Sequence, residues 1–313
     1  MSNFSEPSQS LDEVRPRRSE ARFRPRRSCL YVPGANARAL DKASSLPADV
    51  LILDLEDAVA PDAKAEARQA VADAVGRRAY GAREVLIRVN GLDTEWGQDD
   101  LAMAASAGAD GVLVPKVTKG KDVRAVDRLL SDVGASPDLG LWVMIEMPLA
   151  VLNIKKIAKA SAKTRLTGFV MGTNDLAKEF DARATPDRLA FLFSLSAALV
   201  AARAYGLFAI DGVYNDTGND TSLSAECKQG RVLGFDGKTL IHPAQIETAN
   251  RVFSPSVAEL SHAKDVIEAF ALPENQGKGV ISLNGQMVEL LHRQQAERLI
   301  AISDAIRQLE SSS

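Results

Sequence analysis

Charged side chains recur at the ends of short apolar runs in this sequence: Asp54-Leu55-Glu56-Asp57, Arg88 followed by Asn90, Pro115-Lys116, Glu146, Thr173-Asn174-Asp175, Asp211 and His242. Carboxylates gathered on one rim repel each other unless a cation or a substrate balances them. Glu146 and Asp175 make the best metal pair, because each follows an apolar stretch (Trp142–Ile145, Val170-Met171) and no His or Cys stands beside them. Such a donor set suits Mg²⁺, which keeps several waters and takes one or two protein carboxylates. Zn²⁺ is disfavoured, since His242, His262 and His292 are not spaced as paired ligands. Arg88 has the fork geometry to grip a carboxylate or enolate oxygen, or to bridge to Asp54 or Glu56. Glu56 and Asp57 are placed to hold metal-bound waters or to orient Arg88. Lys116 as a Schiff-base lysine ranks second to a metal site. Cys227, on a helical stretch, reads as a partly buried cysteine. Turns at Gly34 and at Gly237 to Pro243 offer backbone amides to phosphate or pantetheine groups. No P-loop and no GxGxxG occurs, which removes support for nucleotide hydrolysis and dinucleotide hydride transfer.

The elements that must position these groups are short and rhythmic. Strand-like runs are expected at Cys29–Val32, Val50–Leu55, Val85–Val89, Gly111–Val114, Leu141–Glu146, Gly168–Met171, Leu207–Asp211 and Lys238–Ile241. Helical segments such as Ala63–Val75, Asp122–Leu130 and Leu189–Ala204 lie between them. Continuous hydrophobic strands belong to a parallel sheet covered by helices. Eight such units predict an α/β fold, a (β/α)8 TIM barrel over residues 28–253, with an open doubly wound sheet as the alternative. The active site is then expected at the C-terminal ends of the strands. Residues 254–313 exceed what a barrel needs and read as a helix, an Asn284-Gly285 hairpin and a last helix from Glu289 to Leu309, a lid or an inter-subunit arm.

The chain has 313 residues, 38 Lys and Arg against 41 Asp and Glu, and a net charge of −3. That balance argues against a dedicated nucleic-acid binder. Two cysteines, Cys29 and Cys227, permit no disulfide framework. No apolar run approaches the roughly 18–20 residues that span a bilayer, so no membrane role is expected and a cytoplasmic location is. Residues 1–27, rich in Arg, Pro and Ser, read as a disordered tail. A targeting peptide and a nucleic-acid arm are the lesser readings.

Several motifs fall in the order of a known family. Leu53-Asp54-Leu55-Glu56-Asp57-Ala58-Val59, Ile87-Arg88-Val89-Asn90-Gly91, Val114-Pro115-Lys116, Ile145-Glu146, Gly172-Thr173-Asn174-Asp175-Leu176 and Gly237-Lys238-Thr239-Leu240-Ile241-His242-Pro243 resemble the citrate lyase β-subunit-like group of the HpcH/HpaI aldolase superfamily, over about Arg27 to Ile300. The stretches Met171 to Glu179, Asp211 to Asn215 and Ala225 to Arg231 are most similar to its malyl-CoA-hydrolysing members. The resemblance implies a barrel binding Mg²⁺ through Glu146 and Asp175, with Arg88 on the acyl group. It implies that Tyr31 and Lys42 lie along the CoA, with Ile241 and His242 near it and Asn174 among the substrate contacts. It implies a homo-oligomer, trimeric or hexameric, in which a C-terminal acid reaches a neighbouring subunit's site. Where the lyases carry Asp after the hairpin this chain has Glu289, as the thioesterases do, which makes Glu289 a candidate base. Met147-Pro148-Leu149-Ala150 also departs from the family's usual Thr and later Gly after the metal Glu. The implied activity is Mg²⁺-dependent hydrolysis of a malyl-CoA-like 3-hydroxy-carboxyacyl-CoA ester. The alternatives are retro-Claisen C–C cleavage of such an ester, a CoA-independent keto-acid aldolase, and a non-catalytic subunit of a larger lyase.

Overall fold

The computed structural model describes residues 24–311. Each of the eight apolar runs is a strand: β1 Ser28–Pro33, β2 Val50–Asp54, β3 Glu84–Arg88, β4 Gly111–Val114, β5 Gly140–Ile145, β6 Leu166–Met171, β7 Phe208–Asp211 and β8 Gly237–Leu240. All neighbours pair in parallel, and β1 pairs with β8. The sheet is therefore a closed barrel, not an open doubly wound sheet.

Side chains alternate across a strand, so each strand feeds two cores. Cys29, Val50, Ile52, Leu86, Leu113, Trp142, Met144, Val170 and Ile210 fill the barrel interior. Leu51, Leu53, Ile87, Val112, Val143 and Phe169 face the surrounding helices in a larger core. Burial on both faces is why the strands read as unbroken apolar runs. The same period of two sets the mouth. Asp54, Arg88 and Glu146 stand two residues beyond the inward-facing Ile52, Leu86 and Met144 and so share their face.

The other end of the barrel is closed by the start of the described chain. Of the tail expected over residues 1–27, residues 1–23 lie outside the described residues. Arg24 to Arg27 depart from that expectation, because carboxylates at the bottom of the strands hold them. Arg26 pairs with Glu84 at 2.6 Å and lies 3.6 Å from the centre of the Phe208 ring. Arg27 bonds Asp49 at 2.8 Å and Glu310 at 3.0 Å, and Arg24 reaches Asp110 at 2.9 Å. Gly237 admits this segment: a Cβ there would lie 1.8 Å from the Arg26 carbonyl oxygen.

Beyond the helix Ile246–Phe253 the chain builds a second small core. Ser256 starts the helix Val257–Ala271 through a reciprocal cap with Glu259. Strands β9 (Val280–Leu283) and β10 (Gln286–Glu289) form an antiparallel hairpin. Its turn residues Asn284 (φ 51°) and Gly285 (φ 78°) both adopt the left-handed backbone that a two-residue hairpin turn needs. The helix Leu290–Ser311 closes the unit, and Ala263, Val266, Phe270, Ile281, Val288 and Ala296 pack between these pieces. Among the described residues, no helix is long and apolar enough to cross a membrane.

Candidate active site

Asp54 and Arg88 are register partners on β2 and β3. Arg88 Nε and Nη2 each donate to an Asp54 carboxylate oxygen at 2.6 Å. The Asp54 oxygens also accept the N–H groups of Glu56 (2.9 Å) and Ala58 (3.2 Å), which folds the turn after β2 back over the mouth. The two-pronged grip of Arg88 is thus taken up inside the protein. The remaining nitrogen, Nη1, faces Glu56 Oε2 at 2.8 Å and Asp57 Oδ2 at 3.3 Å. Tyr31 lies beneath, its ring centre 4.7 Å from the guanidinium carbon, with Met144 Sδ 3.8 Å from Nη1. Burial, together with the Glu146 and Asp57 charges, pushes Glu56 up to about 8 against the pull of Arg88 and Lys116.

Glu146 follows β5 and is completely buried. Gly172 makes room for it: a Cβ at that position would stand 2.4 Å from Glu146 Cβ. Glu146 Oε1 accepts the Lys116 backbone N–H at 2.6 Å. Its other oxygen, Oε2, is buried with no hydrogen-bond partner among the described residues. Burial raises this acid to about 7, and Asp175 adds to the rise while Lys116 opposes it. Asp175 sits in the first turn of the helix Thr173–Glu179, directly after β6. Lys116 Nζ touches Asp175 Oδ1 and lies 3.5 Å from Glu146 Oε1. Burial works to lower the Lys116 ammonium, but Asp175 and Glu146 outweigh it and hold it above its ordinary value. A lysine kept protonated is a poor amine nucleophile, which counts against Schiff-base chemistry.

These residues fit a divalent ion. Five carboxyl groups (Asp54, Glu56, Asp57, Glu146, Asp175) meet two cations, Arg88 and Lys116. Two of the acids converge on one point, and one of them has an unpartnered buried oxygen. No group of three or more His, Cys, Asp and Glu gathers into a metal cage among the described residues. A two-carboxylate site completed by water suits Mg²⁺ and not a closed zinc site.

The other expected residues fall around this centre. Tyr31 packs within the barrel against Arg88 and the inner core. Lys42 is exposed on the helix Ala37–Ala43. Asn174 exchanges amide hydrogen bonds with Asn215 at 3.2 and 2.8 Å, joining the first turn of the helix Thr173–Glu179 to the loop after β7. Ile241 and His242 are exposed after β8, where His242 Nδ1 caps the next turn through Ala244 N–H. Glu289 ends β10 in the C-terminal unit; its N–H donates to His292 Nδ1, and its carboxylate makes no ion pair among the described residues. Two rim residues turn away from the centre. Asn90 donates to Asp100, and Asp211 pairs with Arg188 at 2.7 Å and with the buried Lys238 at 3.4 Å. Arg188 escaped the sequence reading because it sits in an irregular segment between two helices. Lys238 within the strand Gly237-Lys238-Thr239-Leu240 was the signal, a lysine on a barrel strand that needs a carboxylate partner and finds it in its register neighbour Asp211.

The family model described as HpcH/HpaI aldolase/citrate lyase matches residues 27–243. The chain is 51% identical over 282 residues to a (3S)-malyl-CoA thioesterase of Cereibacter sphaeroides, covering 90% of this chain and 96% of that one. It is 38% identical to the citrate lyase subunit beta of Escherichia coli K12, covering 86% and 90%. Among solved structures it is similar to CitE of Mycobacterium tuberculosis in complex with magnesium, acetoacetate and coenzyme A, with a TM-score of 0.72, 26% identity and coverage of 90% and 98%.

Proposed function

This chain belongs to the HpcH/HpaI aldolase/citrate lyase family, and from that premise we propose that it hydrolyses malyl-CoA-like thioesters with the help of Mg²⁺. The observation that carries the reading is the convergence of Glu146 and Asp175 on one point beside Arg88, with Glu146 Oε2 left unpartnered. The choice of hydrolysis rests on the half-identity to (3S)-malyl-CoA thioesterase along nearly the whole chain. An ion held by Glu146 and Asp175 would supply Lewis-acid polarisation of the acyl chain's oxygens.

The protein's own groups account for the rest. Asp54 fixes two nitrogens of Arg88, so negative charge that develops on an acyl oxygen would meet Nη1, in competition with Glu56 and Asp57. Tyr31 and Met144 wall that guanidinium with low-dielectric surface, which strengthens its field at the mouth. Glu56 and Asp57 hold Nη1 toward the rim. The amides of Asn174 and Asn215 and the exposed ends at Ile241 and His242 line the approach for the CoA portion. Water adds to the thioester carbonyl carbon and loses a proton to a base; the C–S bond breaks, and the sulfur leaves as free CoA thiol with malate as the acid product. We place Glu289 as that base, delivered from a neighbouring copy in a homotrimer or homohexamer, because in its own chain the last helix is tied by Glu310 to Arg27 and by Arg298 to Asp236 at the strand starts, the end of the barrel opposite the mouth.

Retro-Claisen cleavage is the second reading, favoured by the 38% identity to citrate lyase subunit beta. Incubation with malyl-CoA and Mg²⁺ separates the two. Malate and free thiol without glyoxylate support hydrolysis, whereas stoichiometric glyoxylate and acetyl-CoA establish cleavage. Equal turnover of the free hydroxy-acid without CoA points to a keto-acid aldolase and overturns both.

A further inference from the structure

Lys116 follows Pro115 at the end of β4 with φ 57°, a left-handed backbone that residues other than glycine seldom adopt. That turn aims two donors of one residue at the same pair of acids. The backbone N–H meets Glu146 Oε1 at 2.6 Å, and Nζ sits between Glu146 Oε1, at 3.5 Å, and Asp175 Oδ1. Backbone strain of this kind persists where surrounding contacts over-determine it, and such residues cluster at functional sites.

The position of the ammonium has a consequence for ion binding. It touches the oxygens that a divalent ion would require, and two positive centres at such range repel strongly in a partly buried mouth. The Lys116 side chain retains 35% of its exposure, so a way out to solvent lies open, while Glu146 on its other side is fully buried. We propose that Lys116 is an internal counter-ion for the carboxylate pair, holding Glu146 and Asp175 together in the metal-free protein and swinging out as the ion enters. The inference rests on the Mg²⁺ reading of this site. It makes Lys116 a competitor that the ion must displace, which sets the Mg²⁺ concentration at which the site fills.

Two measurements on the full-length protein test it. Calorimetric titration of MgCl₂ into metal-free wild type, Lys116→Met and Glu146→Gln compares affinities. Acetylation of Lys116 by acetic anhydride, quantified by peptide mass with and without Mg²⁺, reports whether the amine is released. Lys116→Met is expected to bind Mg²⁺ about tenfold more tightly, equivalent to about 1.4 kcal/mol. Mg²⁺ is expected to speed acetylation of Lys116 several-fold in wild type and not in Glu146→Gln. Affinity in Lys116→Met equal to or weaker than wild type, or acetylation indifferent to saturating Mg²⁺, overturns the inference while wild-type binding leaves the Mg²⁺ reading intact. Absence of Mg²⁺ binding in wild type, or undiminished binding in Glu146→Gln, overturns that reading itself. Should Lys116→Met not fold, Lys116→Gln carries the same titration, and the acetylation arm needs no change at Lys116.

Discussion

Replacing Gly172 by alanine puts a methyl group where Glu146 already is. The new Cβ would stand 2.4 Å from Glu146 Cβ and 2.7 Å from Glu146 Oε2. Carbon atoms rest at about 3.5–4.0 Å, so more than about 1 Å must be found. The strands cannot simply part, because Gly172 N–H is bonded to the Ile145 carbonyl at 3.1 Å. Glu146 Cβ moves only with its backbone, so the turn after β5 shifts and carries the carboxylate off the point it shares with Asp175. Overpacking of this kind costs about 1–3 kcal/mol of stability. A misplacement of about 1 Å in a reacting constellation costs about a hundredfold in rate. Gly172→Ala should then fold, lose about a hundredfold in thiol release from malyl-CoA, and bind Mg²⁺ at least about tenfold more weakly by calorimetry. Gly76→Ala is the matched control: nothing lies within 4 Å of its would-be Cβ, at the end of the helix Lys64–Gly76. That change should leave rate and affinity alone and add about 0.4–1 kcal/mol of stability. Rates and affinities within about threefold of wild type in Gly172→Ala would refute the claim that Glu146 needs this position.

Other outcomes follow from the same contacts. Asp54→Ala strips the buried Arg88 of two bonds at 2.6 Å and should cost about 3–5 kcal/mol in urea denaturation; a loss under about 1 kcal/mol shows that the pair is not structural. Burial holds Glu56 at about 8, above its ordinary 4.5, so the folded state keeps a proton that the unfolded chain gives up. The resulting stability is whole below about pH 4.5 and is lost as pH rises through about 8, so metal-free wild type weakens across that window. Glu56→Gln should weaken less between about pH 5 and about pH 8, and identical slopes for the two proteins count against the assignment. Glu289→Gln should lower hydrolysis by about 10²–10⁴, the usual contribution of a general base, with Mg²⁺ affinity unchanged; wild-type turnover removes Glu289 from the mechanism.

Much of this molecule was legible in one dimension. Each of the eight apolar runs became a barrel strand, because a strand buried on both faces has no polar side to interrupt its pattern. The Asn284-Gly285 hairpin was equally local, written in two adjacent residues. The rim acids and Arg88 were visible as charges ending apolar runs. Their division of labour was not. Strand register made Asp54 the partner of Arg88 and closed its fork, while Asp211 was drawn off to Arg188 and Lys238 across the loops. Arg26 and Arg27 read as tail, yet Glu84 and Asp49, some 58 and 22 residues along, bury them. Sequence alone determined which residues are strands, which end at the mouth and which family the motifs resemble, since period and local propensity are properties of neighbours in the chain. Only the closed barrel decided which charge meets which, because Coulombic and hydrogen-bond partners are chosen by distance in space, and the sequence carries no record of that distance.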